Sequence, residues 1–129
     1  MPRQIILIMT DTQRWDMVNC YRETGLQTPC IDRLAAGGMK FNYAYTCQPV
    51  CGPARSAIFS GQFPHSNGVI ANSVSFSDNV KTLGQRLSDN GFKTAYIGKW
   101  HLDGGDYFGN GRCPDGWDKN YWYDMRNFL

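Results

Sequence analysis

The sequence predicts an α/β fold, a mixed and mostly parallel sheet flanked by helices. Three observations carry that prediction. Residues 4–9 (Gln-Ile-Ile-Leu-Ile-Met) are apolar almost without a break and rich in β-branched side chains, as expected of a strand covered on both faces. Residues 28–38 and 81–90 carry apolar side chains at helical spacing between polar ones. Strand-like runs alternate with these helices, and such alternation favours parallel pairing.

Composition narrows the classes. A chain of 129 residues accommodates one domain with its own core, and 42% hydrophobic residues argue against disorder. The 13 basic and 11 acidic residues are interspersed, for a net charge of +2, unlike the clustered positive charge of a nucleic-acid surface. The aliphatic run at 5–9 is far shorter than the roughly 18 residues of a membrane span, and too short for a secretory leader. The expectation is a cytoplasmic protein with neither membrane nor nucleic acid among its partners. The five cysteines, Cys20, Cys30, Cys47, Cys51 and Cys113, cannot all pair within one chain, so reduced thiols are expected. Cys47 and Cys51 are spaced like half of a zinc site, but no matching half follows.

The first strand runs into Thr10-Asp11-Thr12-Gln13. Ligands of open α/β sheets gather at the carboxyl ends of strands, so Asp11 stands where a metal ligand belongs. A turn or a helix cap is the structural role open to the same residue. In the helix at 28–38, Thr28 is the expected N-cap, Pro29 a first-turn residue and Gly37-Gly38 the terminator. Ile31, Leu34 and Ala35 form its inward stripe. Residues 39–45 then alternate, with Met39, Phe41, Tyr43 and Tyr45 on one side, and read as a strand.

Next comes Cys51-Gly52-Pro53-Ala54-Arg55, continuing through Ser60 to Gly61. Pro53 fits a first helical turn and Gly61 a left-handed stop. Cys51 then lies at the positive end of a helix, with Arg55 one turn along, an anion-handling environment around a thiol. A structural cysteine beside a surface arginine is the plainer alternative.

Residues 62–69 form a turn-rich connector whose His65 either braces the loop or meets a substrate. Residues 72–79 are polar and irregular, suited to a pocket wall. The helix at 81–90 has Leu83 and Leu87 four apart and Gly91 closing it. Residues 92–97 are the next strand, leading into Gly98-Lys99-Trp100-His101-Leu102. In an extended stretch Lys99 and His101 project to one side. There a lysine supplies a point charge and a histidine exchanges protons near neutral pH. The tail, 106–129, has no clear period, although Tyr121-Trp122-Tyr123 and Phe128-Leu129 are large and apolar.

Three strings in order resemble signatures of the sulfatase family: Thr28-Pro29-x-Ile31-Asp32-Arg33-Leu34-Ala35, Cys51-x-Pro53-x-Arg55, and Gly98-Lys99-Trp100-His101-Leu102. The chain departs from the pattern at Cys30, where asparagine is usual, at Thr12, where a second acid often stands, and at Asp103, where glycine is usual. The resemblance implies that residues 1–129 are the N-terminal part of a catalytic domain of the alkaline phosphatase superfamily. The remaining metal ligands and the C-terminal subdomain would be absent.

The resemblance also implies chemistry. A maturation enzyme would oxidise Cys51 to formylglycine, whose hydrate is the nucleophile. Asp11 and the nucleophile's oxygen would hold a divalent cation, Ca2+ first, with Mg2+ or Mn2+ as alternatives, and Thr12 would be a weaker, neutral ligand. Arg55 and Lys99 would stabilise the nucleophile and the sulfate, Lys99 and His65 would contact substrate, and His101 would carry proton traffic. The expected reaction is hydrolysis of a sulfate ester on a small molecule or saccharide. A phosphonate or phosphodiester hydrolase of the same superfamily is one alternative, and a catalytically silent folding or binding unit is another. A cysteine phosphatase fits less well, since its loop needs an arginine six residues after the cysteine and Ala57 stands there. By itself the chain is expected to be inactive and to self-associate through an open sheet edge.

Overall fold

The computed structural model describes residues 4–23, 25–104 and 107–128. The chain divides into two compact units, Met1–Ala44 and Tyr45–Leu129.

In the first unit, helix α1 (Pro29–Gly37) begins on its proline, as expected. Thr28 does not cap through its side chain. Its Oγ1 instead accepts from Asn19 N–H (2.9 Å) and donates to Asp32 Oδ1 (3.1 Å), while Cys20 N–H also donates to Asp32 (2.9 Å). The start of α1 is thus tied to the chain just after a 3-10 turn at Trp15–Met17. Ile31 and Ala35 are half-buried, but Leu34 is 70% exposed, so the expected three-residue stripe shrinks to two.

Two expected strands are not formed. Residues 4–9 and 39–45 carry no strand, and Ile6 and Tyr43 are more than four-fifths exposed. A pleated run becomes a strand only where a neighbour's N–H and C=O groups face it, and among the described residues none pairs with these segments. Hydrophobic pattern records a preference for burial, not the presence of a partner.

The second unit is α/β. Helix α2 (Cys51–Ser60) is followed by the single turn α3 (Pro64–Asn67), helix α4 (Leu83–Asp89), and strands β1 (Tyr96–Gly98) and β2 (Trp122–Asp124). The strands pair in parallel, with Gly98 opposite Asp124. Parallel pairing is what the alternation of elements predicts. Strand β1 is shorter than residues 92–97, and β2 arises from the tail, where no strand was expected.

The local chemistry of α2 works as its sequence predicts. Gly61 takes the left-handed conformation (φ +70°), and its N–H reaches Ala57 O at 2.8 Å. At α4, Gln85 Oε1 accepts from Thr82 N–H (2.8 Å), which shields a donor at the helix start. Phe59, Val69, Trp100, Leu102 and Trp122 form the buried core, flanked by Tyr96 and Trp117. The rings interlock, with Tyr96 stacked on Trp122 (4.8 Å) and Phe59 tilted on Trp100 (4.8 Å). Gly84 of α4 lies so close to this cluster that a Cβ there would meet the Trp117 ring at 2.6 Å. Among the described residues no helix is long and apolar enough to cross a membrane.

Candidate active site

Cys51 opens α2 and is half-buried. The next residue, Gly52, is pressed against the chain at 71–72. Its N–H donates to Asn72 Oδ1 (2.7 Å), and a Cβ there would meet Asn72 at 3.1 Å. The helix start is therefore fixed while the Cys51 side chain keeps partial access to solvent. None of the five cysteines, all among the described residues, is bonded to another.

The rest of α2 is held from behind. Asn67, 2% exposed, donates from Nδ2 to Ser56 Oγ (3.0 Å), Ser60 Oγ (3.2 Å) and Gln62 O (3.1 Å), and accepts Val69 N–H (2.9 Å). One buried amide so joins α2 to α3 and the chain beyond.

Arg55 is 7% exposed, which departs from the reading of a surface arginine. Its Nη1 donates to the carbonyl oxygen of Lys99 at 2.6 Å. The Tyr96 hydroxyl donates to the same oxygen. Burial pushes the Tyr96 phenol up to about 12, against the opposing pull of the Arg55 charge. Beyond that carbonyl, Trp100 N–H donates to Asp124 Oδ2 at 3.1 Å.

Lys99 and His101 are 8% and 3% exposed. The stretch is not extended throughout, since His101 takes φ +58°. Both side chains nevertheless reach one ring: Lys99 Nζ sits 3.4 Å from the Tyr107 centroid, and the His101 ring lies 5.4 Å from it. Tyr107 and Asp124 escaped sequence reasoning. For Asp124 the sequence carries no signal, because Trp122-Tyr123-Asp124 does not alternate apolar with polar, and its buried, exposed, buried pattern exists only in the fold.

His65 is exposed on α3, its ring stacked on Phe63 (5.6 Å), and no described contact joins it to Lys99 or His101. Asp11 and Thr12 belong to the first unit and are exposed, and Thr12 takes φ +55°. Gln13 Oε1 accepts from Thr10 Oγ1 at 2.7 Å. Among the described residues no three His, Cys, Asp or Glu side chains gather into a metal-sized cluster. Carboxylate and hydroxyl oxygens suit a hard cation such as Ca2+, whereas an unmodified thiolate suits softer metals. The donors at 11 and 12 therefore fit the expected ion in kind, and number fewer than the 6–8 oxygens Ca2+ takes.

The irregular segment expected to wall a pocket does so. Ser75, Phe76, Ser77 and Asp78, with Trp100 and Arg112, line an open cleft of about 480 Å³.

The chain is 51% identical over 124 residues to the uncharacterized sulfatase YidJ of Escherichia coli, covering 96% of this chain and 25% of that protein. It is 34% identical over 133 residues to the N-acetylglucosamine-6-O-sulfatase of Bacteroides thetaiotaomicron, covering 97% and 24%. A solved structure of BT4656 in complex with its substrate D-glucosamine-2-N,6-O-disulfate superposes with a TM-score of 0.69 at 35% identity, over 80% of this chain and 19% of that one. The chain thus spans about a quarter of the length of the curated relatives it matches. The structural likeness bears out the alkaline-phosphatase-like α/β fold. The sulfatase family model matches residues 3–127, nearly the whole chain. The chain belongs to the sulfatase family.

Proposed function

We propose that the protein hydrolyses sulfate esters through a nucleophile made from Cys51. The observation that carries this reading is the 2.6 Å bond from Arg55 to the Lys99 carbonyl. It ties together two signature strings 44 residues apart, which two chance matches have no reason to do.

In this reading, formylglycine derived from Cys51 supplies an oxygen nucleophile for sulfur, and a divalent cation, calcium first, supplies charge neutralisation and orientation. Asp11 and Thr12 would hold that cation together with the oxygen at position 51, and further oxygens are needed to fill its shell. Arg55 fixes the Lys99 loop against α2 and adds positive charge beside Cys51. Lys99 binds a sulfate oxygen as a point charge, and His101 moves a proton at its imidazole during ester cleavage. His65 would reach only the outer part of a substrate.

A sulfated amino sugar is the proposed substrate class. Its support is the activity named for the Bacteroides thetaiotaomicron relative and the ligand of the solved neighbour. The 129 residues are read as the N-terminal part of the catalytic domain, with activity a property of the longer protein.

The test pairs mass with rate. Protein made together with a maturation enzyme should lose the mass difference between CH2SH and CHO at Cys51 and cleave an aryl sulfate or N-acetylglucosamine 6-sulfate. Cys51→Ala should remove that activity. Active protein whose Cys51 is entirely thiol would sink the mechanism, and faster cleavage of a matched aryl phosphonate would move the substrate class.

A further inference from the structure

The Lys99 carbonyl and the Trp100 N–H belong to one peptide group, and both ends of that group are held. The oxygen accepts from Arg55 and Tyr96, and the nitrogen donates to Asp124. A peptide plane clamped at both ends cannot rotate without breaking bonds on both sides. Its orientation directs Lys99 on one side and Trp100 on the other, and through Trp100 the next residue, His101.

Asp124, like Tyr96, is a part of this clamp that no signature string contains. It is 1% exposed and closes β2, where the parallel register sets it opposite Gly98. From there its Oδ2 accepts Trp100 N–H (3.1 Å) and its Oδ1 accepts Arg126 N–H (2.9 Å). A buried carboxylate is costly unless it is hydrogen-bonded, and bonds to an ionised acceptor are about twice as strong as neutral ones. We propose that Asp124 is a positioning residue, which by gripping the Lys99–Trp100 peptide sets Lys99 and His101 against Tyr107. The catalytic consequence rests on the sulfate-ester reading; the positioning does not.

The experiment follows position and rate separately in Asp124→Ala, Asp124→Asn and a control, Thr94→Val. The control loses the bonds of Thr94 to Gly116 and Asp118 without touching the clamped peptide. With Nζ over the Tyr107 ring, the Lys99 ε-methylene proton resonance should lie upfield of an exposed lysine's. In Asp124→Ala it should return toward the exposed position, and Trp100 amide exchange should rise at least about tenfold. Asp124→Asn keeps one acceptor oxygen and should recover part of both effects. Thr94→Val should lower stability and leave both unchanged. In protein that cleaves an aryl sulfate, Asp124→Ala should cut kcat/KM at least about tenfold more than Thr94→Val. Unmoved Lys99 and Trp100 signals in Asp124→Ala, or equal movement in Thr94→Val, would overturn the proposal. A parent protein that cleaves no sulfate ester would overturn the functional reading alone, since the two spectroscopic signals still decide the positioning.

Discussion

Arg55 bonds to the backbone of Lys99, at 2.6 Å, and does so while almost fully buried. A charged side chain that serves a carbonyl both stabilises the fold and orders the site. Arg55→Lys keeps the charge but loses the planar fork. Sulfate-ester cleavage should fall roughly a hundredfold, the scale of losing one preorganised contact. Parental kinetics in that variant would mean that the guanidinium has no part in catalysis.

Gly84→Ala pits two effects against each other. Alanine inside a helix is favoured over glycine by about 1 kcal/mol. The new methyl, however, would stand 2.6 Å from the Trp117 ring, which is itself packed among Phe59, Tyr96 and Trp122. Overpacking of that kind costs about 1–3 kcal/mol, so the clash should win. Chemical denaturation should show a net loss of about 1 kcal/mol, and a more stable variant would show that the ring gives way.

Tyr96 sets an alkaline limit. Its phenol is raised from 10.0 to about 12 by burial, so the folded state keeps the proton longer than the unfolded chain does. The stability this contributes is complete below pH 10 and is lost as pH rises through 12. The fall is at most about 1.4 kcal/mol per pH unit in that window. Melting curves of the parent should show it, and Tyr96→Phe should flatten it; equal slopes in both would refute the assignment.

What could be read from the sequence was what a few neighbouring residues decide. Pro29, Pro53 and Gly61 each act through their own backbone geometry, and α1 and α2 fall where they say. The strands at 4–9 and 39–45 depended on distant partners, and so did β2. Of the site, Arg55, Lys99 and His101 were recognisable as a set, but the grip of Arg55 on a carbonyl was not, because nothing in a side chain's identity names its acceptor. Asp124 was hidden for the same reason, since its role exists only through the register with Gly98.

Residues 1–129 alone are expected to self-associate. Ile5, Ile6 and Ile8 are 66–81% exposed, a contiguous apolar run of the kind that seeks a partner surface. The two-stranded sheet also leaves an edge on each strand, and Ile97 of β1 is 81% exposed. Sedimentation should report oligomers that Ile6→Lys and Ile8→Lys diminish. A compact parental monomer would refute this.

The left-handed backbone of His101 has a consequence for how the residue could be discovered. Holding a side-chain-bearing residue at φ +58° costs about 1–2 kcal/mol. Glycine would relieve that cost and return about half of it or more through the greater freedom of the unfolded chain. The ring's contact with Tyr107 would be lost as well. His101 is also 3% exposed, so removing its ring leaves a cavity, and truncating a large buried side chain costs about 2–5 kcal/mol. That outweighs the relief of the backbone, so His101→Gly should melt below the parent as well as lose hydrolysis. A library sorted by melting temperature would file this histidine with the core residues, and only one sorted by turnover among folded variants would set it apart from them.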